Sequence, residues 1–222
     1  MSQISQTSFR ILSELSQNNN KEWFDTNKTA YQEHVRKPFA TLLENLSRQL
    51  ADHGMTFVGN EKTMFRVNRD VRFSNDKSPY STHVSGVLTP SGTKSEASPL
   101  IYLHMEAHGG FAVAGLYHPP TDRLDALRES ILENSEEFSE ILNSLSEFGL
   151  VLDASEATKN MPRAFTSFAD HQLADVIKLK NMMVRIEIPM EDWMSPDLAS
   201  KLATFAQDSS PLLQFLSKQV SS

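Results

Sequence analysis

Apolar positions in the first quarter of the chain recur at intervals of three and four residues, which is the period of an amphipathic helix. Three Asn residues at 18–20 and Pro38 interrupt this pattern, and Gly54 closes it. Asn19 together with Glu22 resembles a capping box at the start of the second helix. The pattern predicts three helices, whose apolar faces contain Phe9, Leu12 and Leu15; Trp23, Phe24, Tyr31 and Val35; and Phe39, Leu42, Leu43, Leu46 and Leu50.

The period changes from about 3.6 to 2 after the third helix. An extended strand is predicted over 65–73, with alternating faces formed by Phe65, Val67, Val71 and Phe73 and by Arg66, Asn68, Asp70 and Arg72. The next predicted strands are 84–89, 100–107 and 111–117, and the His-Gly-Gly sequence at 108–110 is typical of a hairpin turn. Because no helix pattern separates these strands, we expect an antiparallel meander.

The helical period returns in the second half of the chain, after two consecutive prolines at 119–120. Helices are predicted around 124–132, 138–148, 170–177 and 195–220, a last strand over 182–188, and irregular segments over 90–99 and 161–170. No internal repeat or linker composition divides the chain. We therefore expect a single α+β domain over 1–222, in which helices flank a curved antiparallel sheet.

Composition narrows the class of protein. The 222 residues are 39% hydrophobic, which is enough for a substantial core, and they include no cysteine. A disulfide framework, a thiol nucleophile and a cysteine metal site are therefore excluded. The N-terminal sequence lacks a secretory signal pattern, and no apolar run approaches the ~20 residues that cross a bilayer. We expect a soluble cytoplasmic protein that does not enter a membrane, and its oligomeric state stays open.

The net charge of −7 arises from one region. Residues 122–159 contain ten acidic and three basic residues, so the rest of the chain is close to neutral. Nucleic-acid binding usually needs a broad basic surface, which this chain lacks. A nucleic-acid partner is therefore disfavoured, although a local basic cluster leaves it open.

That local cluster supplies the candidate chemistry. Residues 61–83 contain five basic and three acidic residues, which suggests a clamp for a carboxylate or a phosphate. The alternative interpretation is an ion-pair lattice, in which Asp70 and Asp76 neutralise the arginines. We take as candidate ligand-binding residues Arg66, Arg69, Arg72, Lys77, Tyr80 and, from an irregular apolar segment, Arg163.

Two histidines at predicted strand ends, His83 and His118, are the candidate proton carriers, with Asp70 or Asp76 as the group that orients the imidazole. His104, Glu106 and His108 alternate and could hold zinc or iron, but His108 lies in the predicted turn, so we expect no metal site. The sequence contains neither a P-loop nor a Gly-x-Gly-x-x-Gly turn. It therefore indicates no particular cofactor.

Several motifs occur in an order that is found in one known family. The first is Asn-Asn-Asn-Lys-Glu-Trp-Phe at 18–24, and the second is Arg-x-x-Arg-Asp-x-Arg-Phe-Ser-x-Asp-Lys-Ser-Pro-Tyr at 66–80. Gly-x-Tyr-x-Pro at 115–119, Met-Pro-Arg-x-Phe at 161–165 and Leu-Lys at 179–180 follow. Over nearly its whole length the chain resembles the bacterial and fungal DUF2461 family of unknown function. The resemblance implies a complete one-domain protein and transfers no activity or catalytic residue.

Two functional hypotheses result. The first is a pocket at the end of the sheet that binds an anionic small molecule, such as a phosphorylated metabolite. The second is an interaction module without enzymatic activity, whose arginines dock an acidic protein or a nucleic-acid backbone. Arginines that line a concavity would favour the first hypothesis, and flat, exposed arginines would favour the second.

Overall fold

The computed structural model describes residues 3–94 and 98–220, and the predicted loop over 90–99 falls outside them at 95–97. Three helices precede a group of three strands, and a fourth strand lies between later helices, with short helical turns between some elements. The α-helices are α1 Gln6–Gln17, α2 Lys21–Tyr31, α3 Lys37–Asp52, α4 Thr121–Glu133, α5 Ser135–Glu147, α6 Ala174–Ile177, α7 Met190–Trp193, α8 Leu198–Asp208 and α9 Ser210–Val220. The strands are β1 Val84–Leu88, β2 Leu100–Glu106, β3 Gly109–Leu116 and β4 Met182–Pro189.

The four strands form one open antiparallel sheet in the order β1-β2-β3-β4. In the first pair the register runs from Val84 opposite Met105 to Leu88 opposite Ile101. Side chains alternate along β2, so Ile101, Leu103 and Met105 are fully buried whereas the intervening residues are partly or fully exposed. The α+β class and the antiparallel meander are thereby confirmed.

The chain divides into two compact units, which are described separately. Within the described residues, the first unit comprises 3–94, Ile101–Ala112 and Glu187–Thr204. The second comprises 98–100, Val113–Ile186 and 205–220. The expectation of a single domain over 1–222 stays a prediction.

In the first unit, the predicted apolar faces of α1 and α3 are buried. Seven of these side chains are at most 2% exposed: Phe9, Leu12, Leu15, Phe39, Leu43, Leu46 and Leu50. The ring of Phe39 stacks on Trp193 of α7 at 6.1 Å between centroids. The cap of α2 differs from the prediction, because Asn20 rather than Asn19 accepts the N–H of Trp23, at 2.9 Å.

The second and third predicted helices are not separated by a break at Pro38. A π-helical turn at Gln32–Arg36 joins α2 to α3, and Pro38 sits in the first turn of α3. Proline offers no N–H to the carbonyls one turn earlier. The hydroxyl of Ser8, which is completely buried, donates a hydrogen bond to the carbonyl of His34 at 2.5 Å. A side chain of α1 thus supplies a donor that the proline cannot.

In the second unit, α9 contacts α4 and α5. Phe138 and Phe215 are both at most 2% exposed and meet edge to face at 5.1 Å. The predicted helices 124–132 and 138–148 are confirmed as α4 and α5. The long terminal helix predicted over 195–220 is instead two helices, α8 and α9, which are separated at Ser209.

The strand predicted over 65–73 is wrong. Among the described residues, this stretch makes one isolated bridge, from Asn68 to Tyr80, and Met64 just before it makes another, to Gly86. Phe73, assigned to the apolar face, is 95% exposed. The arginines therefore do not project from one face of a regular strand.

Candidate functional site

The segment 65–79, which we call the basic loop, contains two arginine–aspartate pairs. In the first pair Arg72 donates to Asp70 through two nitrogens, Nε to Oδ1 at 3.0 Å and Nη2 to Oδ2 at 2.7 Å. Both side chains are exposed. These hydrogen bonds lower the pKa of Asp70 and raise the pKa of Arg72. Arg72 and Asp70 therefore form an exposed ion pair of the kind that the ion-pair lattice interpretation predicts.

The second pair joins Arg69 to Asp76 and fixes the end of the basic loop. The Nη1 of Arg69 donates to Oδ2 of Asp76 at 2.5 Å and to the carbonyl of Ser78 at 3.1 Å. The other carboxylate oxygen of Asp76 accepts the backbone N–H of Ser78 at 2.9 Å. Hydrogen bonds from Ser78, followed by the one from Arg69, lower the pKa of Asp76 to about 2. Asp76 is therefore ionised at neutral pH.

The other predicted cations of the basic loop make contacts different from those of Arg69. Lys77 is exposed, and its Nζ donates to the carbonyl of Val71 at 3.0 Å, which closes the turn between them. Arg66 is also exposed, and its charge contributes weakly to the lowered pKa of Asp70. Of the four basic residues predicted to converge on a ligand, Arg69 lines the cavity described next, and Arg66, Arg72 and Lys77 are not part of its wall.

That cavity, which we call the polar cavity, lies within the first unit and has a volume of about 330 Å³. Most of its wall is hydroxyl, amide or charged side chain. One cation and one carboxylate line it, so they offset each other. The lining residues are Ser16, Asn19, Arg69, Asp76, Ser78, Tyr80, Ser81, Thr82 and His83.

Asn19 holds one wall of the polar cavity in place. Its Nδ2 donates to the carbonyl of Tyr80 at 2.8 Å, and its Oδ1 accepts the N–H of Tyr80 at 3.1 Å. The ring of Tyr80 is 6% exposed and stacks on Phe24 of α2 at 4.1 Å. The Asn-rich segment is therefore tied to the end of the basic loop by both a hydrogen-bonded clasp and an aromatic contact.

His83 forms another part of the wall. Its ring stacks on His104 of β2 at 4.1 Å, and His104 stacks on Phe111 of β3 at 4.5 Å. The Nδ1 of His104 is 2.9 Å from the hydroxyl of Tyr102. Burial lowers the pKa of His83, against the opposing charge of Glu106, and the charge of Arg69 adds to the lowering. His83 is thus a neutral imidazole at pH 7, which can accept a proton.

The predicted orienting groups do not contact His83. Asp70 and Asp76 instead accept hydrogen bonds from arginines and from backbone N–H groups. His118 and Arg163 belong to the second unit and are not among the residues that line the polar cavity, so their predicted roles stay predictions. His118 has a carboxylate neighbour of its own, since its Nε2 lies 2.6 Å from Oε2 of Glu156. Arg163 is exposed at the start of a 3₁₀ turn, Arg163–Phe168.

Sequence reasoning missed part of the polar cavity. Ser16 and Thr82 carry no motif, and Asn19 was assigned to a helix cap. No local spacing could reveal that Asn19 binds Tyr80, which is 61 residues further along the chain. Thr82 could have been found, because it lies between two predicted site residues, Tyr80 and His83.

Across residues 3–94 and 98–220, no group of three His, Cys, Asp or Glu side chains is arranged to hold a metal ion. His104 and Glu106 lie 3.7 Å apart, and His104 pairs with Tyr102 and neighbouring rings. In the same described ranges, no helix combines the length and the apolar character that a membrane span requires.

Fold and cavity together define the class: an α+β protein with an antiparallel sheet and a mostly polar cavity beside the basic loop. The family model described as conserved hypothetical protein (DUF2461) matches residues 7–215. The chain therefore belongs to the DUF2461 family. No curated protein matches it.

Proposed function

We propose that the first unit binds a small polar molecule carrying one anionic group, and that the polar cavity is the binding site. The cavity itself supports this proposal most strongly, because it brings Arg69 and His83 together with the hydroxyls of Ser81 and Thr82 around about 330 Å³ of space. This volume is at the lower end of the range of ligand pockets. It favours a metabolite of modest size.

The charges of the wall limit the ligand further. Among the described residues, Nη1 of Arg69 has protein partners, whereas its Nε and Nη2 have none and can donate to a ligand. Asp76 is ionised, since its pKa is about 2, and it offsets the charge of Arg69. A ligand with a single carboxylate or phosphoryl group therefore suits this wall better than a polyphosphate. The aliphatic hydroxyls of the wall suit a hydroxylated ligand; they belong to Ser16, Ser78, Ser81 and Thr82.

His83 is the proton carrier in an enzymatic form of this function. It is neutral at pH 7, because burial lowers the pKa of its ring, and a neutral imidazole is a general base near neutral pH. The ring is fixed by its stacking on His104, at 4.1 Å. The reaction catalysed and any cofactor are left open by this proposal.

Thermal unfolding tests the proposal. The probes are inorganic phosphate, nucleoside monophosphates, sugar phosphates and short hydroxy acids. A probe at 100 times its dissociation constant should add ~2.7 kcal/mol to the free energy of unfolding. We expect Arg69→Met to abolish the shift, because it removes the guanidinium from the cavity. Arg66→Met is the matched control, because Arg66 is exposed and does not line the cavity.

A second cavity variant keeps the proposal testable if Arg69→Met fails to fold. Thr82→Val keeps the side-chain shape and removes one hydroxyl of the wall, so it should weaken binding without changing the fold. The absence of a shift with every probe, or an equal shift in the wild type, Arg69→Met and Thr82→Val, contradicts the proposal.

The interaction module is the second candidate function, and one observation favours it. Phe73 is 95% exposed in the basic loop, with the guanidinium of Arg72 over its ring at 5.7 Å. Arg66 and Arg72 are exposed outside the polar cavity. An acidic protein segment is the partner that these exposed arginines suit best, because nucleic-acid binding usually needs a broad basic surface, which this chain lacks.

The same variants separate the two functions. A fluorescent polyglutamate peptide and a single-stranded oligonucleotide serve as probes, with anisotropy measured over a range of salt concentrations. If the arginines dock an acidic protein, the peptide should bind, and its affinity should fall as the salt concentration rises. Arg66→Met should reduce this binding, whereas Arg69→Met should leave it unchanged. Binding of the oligonucleotide alone, or of neither probe, contradicts docking of an acidic protein.

A further inference from the structure

Three segments of the second unit converge on one imidazole. His118 follows β3, Glu156 lies in the loop after α5, and Asn181 immediately precedes β4. Nε2 of His118 is 2.6 Å from Oε2 of Glu156, and Nδ2 of Asn181 donates to the same oxygen at 3.2 Å. The side chain of Asn181 is buried, with 2% exposure. The carboxylate is therefore held between a buried amide and the imidazole.

The backbone at His118 is held as firmly as its side chain. Among the described residues it is the only one other than glycine with a positive φ, at 44°. Oδ1 of Asn181 accepts its N–H at 2.8 Å. Gly115, three residues earlier, has φ +145°, and a Cβ there would lie 2.2 Å from the carbonyl of Met182. The Gly-x-Tyr-x-Pro motif at 115–119 thus shapes the turn that presents His118.

The carboxylate determines which ring nitrogen carries the proton. The pKa of Glu156 is lowered, chiefly by the hydrogen bond from His118 and then by the one from Asn181, so the carboxylate is ionised at neutral pH. An ionised carboxylate only accepts hydrogen bonds. Nε2 of His118 must therefore be the donor, and in the neutral imidazole the lone pair is on Nδ1.

Nδ1 is accessible. The side chain of His118 is 54% exposed, and within residues 3–94 and 98–220 this nitrogen has no protein partner. The ring of Tyr117, which is 55% exposed, stacks on the imidazole at 4.2 Å and provides an apolar surface beside it. Lys180 is the other charge that acts on Glu156, and it favours the carboxylate.

We propose that His118 is a nucleophilic imidazole that accepts an acyl group from activated esters, with Glu156 as the proton acceptor and Asn181 as a positioning residue. Nδ1 attacks the ester carbonyl carbon, an N–C bond forms, and the C–O bond to the leaving alkoxide or phenolate breaks. The proton on Nε2 passes to Glu156 and then to solvent. Water then hydrolyses the acyl-imidazole to a carboxylic acid and restores the histidine. The residues of this second site belong to the second unit, whereas the residues that line the polar cavity belong to the first.

The experiment uses the full chain and 4-nitrophenyl acetate. The release of 4-nitrophenolate is followed by absorbance, and the acetylated residue is located by mass spectrometry after a short quench. We expect the adduct at His118, and we expect His118→Asn to lower the rate about tenfold or more. Asn is chosen because it tolerates positive φ. His53→Asn is the matched control, because His53 at the end of α3 is also exposed, but among the described residues no carboxylate pairs with its ring.

Glu156 is tested as a proton acceptor by two substitutions. Glu156→Gln retains the size and removes the charge, so the rate should fall towards that of His118→Asn. Glu156→Asp retains a carboxylate and should recover part of the rate, which a purely structural role would not require. Adducts spread evenly over the exposed histidines, or an unchanged rate in folded His118→Asn or Glu156→Gln, would overturn the proposal. The adduct map of the wild-type protein decides the matter even where a variant fails to fold.

Discussion

Asn19 shows how one side chain can organise the polar cavity. It makes two hydrogen bonds to the backbone of Tyr80, at 2.8 and 3.1 Å, and Tyr80 is buried. Replacing it by Ala leaves a buried N–H and a buried carbonyl without partners, which costs ~1–3 kcal/mol. We expect Asn19→Ala to lower the free energy of unfolding by that amount in urea denaturation and to weaken ligand binding in the polar cavity.

The control for this prediction is Asn27→Ala. Asn27 donates only to the carbonyl of Trp23 within its own helix, at 2.9 Å, and Ala has the higher helix propensity. The free energy of unfolding of the Asn27→Ala variant should therefore change little from that of the wild type. If both variants lost a similar free energy of unfolding, the two hydrogen bonds from Asn19 to Tyr80 would have no special importance for stability.

Asp76 should make the stability of the folded protein depend on pH in the acidic range. Its pKa is lowered from 3.8 to about 2 by hydrogen bonds from Ser78 and Arg69. A carboxyl whose pKa is depressed by folding stabilises the protein above its unfolded pKa, and this contribution is lost as the pH falls through the folded pKa. Asp76→Asn should therefore lower the melting temperature by a constant amount above about pH 5. The difference from wild type should shrink between about pH 4 and pH 2.

Asp175→Asn provides the comparison for this pH profile. Asp175 is 98% exposed and pairs only with Lys178 in the adjacent turn. The melting temperatures of this variant and of wild type should stay close from pH 7 to pH 2. An Asp76→Asn curve that runs parallel to wild type down to pH 2 would contradict the role given to Asp76.

The candidate residues of the polar cavity could be predicted where they are close in sequence. Arg69, Asp76, Tyr80 and His83 all come from one motif-rich stretch, and the fold brings them to one cavity. The direction of each side chain could not be predicted, because a period-2 pattern assumes a strand and the chain instead turns. Arg66 and Arg72 consequently point to solvent, although they have the same residue type as Arg69.

Among the elements, the joint between α2 and α3 shows why helix boundaries were harder to predict than helices. The sequence predicts that Pro38 breaks the helix or restarts it. Pro38 does lie in the first turn of α3, but the helical path leads into it without a break, through a π-helical turn, Gln32–Arg36. The missing N–H is compensated from α1, where Ser8 donates to the carbonyl of His34. A sequence pattern reveals the proline but not the distant hydroxyl that allows the helix to continue.

This compensation predicts coupling between Ser8 and Pro38. Ser8→Ala leaves the carbonyl of His34 without its donor and should cost ~1–3 kcal/mol. In a Pro38→Ala background a backbone N–H becomes available one turn later, so the same substitution should cost less. We expect a coupling of at least ~0.5 kcal/mol in a double-mutant cycle measured by urea denaturation. Strict additivity would contradict this account of the joint.

The first three strands of the sheet were predicted well because they are neighbours along the chain, whereas β4 joins the sheet only after α4, α5 and α6. Apolar runs with a clear hairpin signal at 108–110 require only local pairing, and the observed order β1-β2-β3-β4 is the simplest that such a sequence allows. The strand predicted over 65–73 has the same alternation but lacks a continuous partner, since among the described residues it makes one isolated bridge. Alternation therefore predicts a strand only where hydrogen bonds can be completed on at least one side.

Over the chain as a whole, the uneven charge has a measurable consequence. The acidic surplus of 122–159 lies on α4, on α5 and in the loop that follows. On α5, Glu140 is exposed and lies one turn from Glu136 and Glu137, so like charges face each other. Glu137 differs, because Lys218 of α9 lies 3.2 Å from its carboxylate.

These two glutamates on one helix give a matched test of that repulsion. Glu140→Gln should raise the melting temperature slightly at ~0.01 M salt, where the Debye length is about 30 Å, and the gain should vanish at ~1 M salt. Glu137→Gln removes a partner of Lys218 along with the repulsion, so it should give no gain at either salt concentration. Surface changes of this kind are usually within ~0.5 kcal/mol, so both variants must be measured by denaturant titration as well as by melting. A gain for Glu140→Gln that persists in high salt would show that helix propensity, and not the concentration of negative charge, limits the stability of this region.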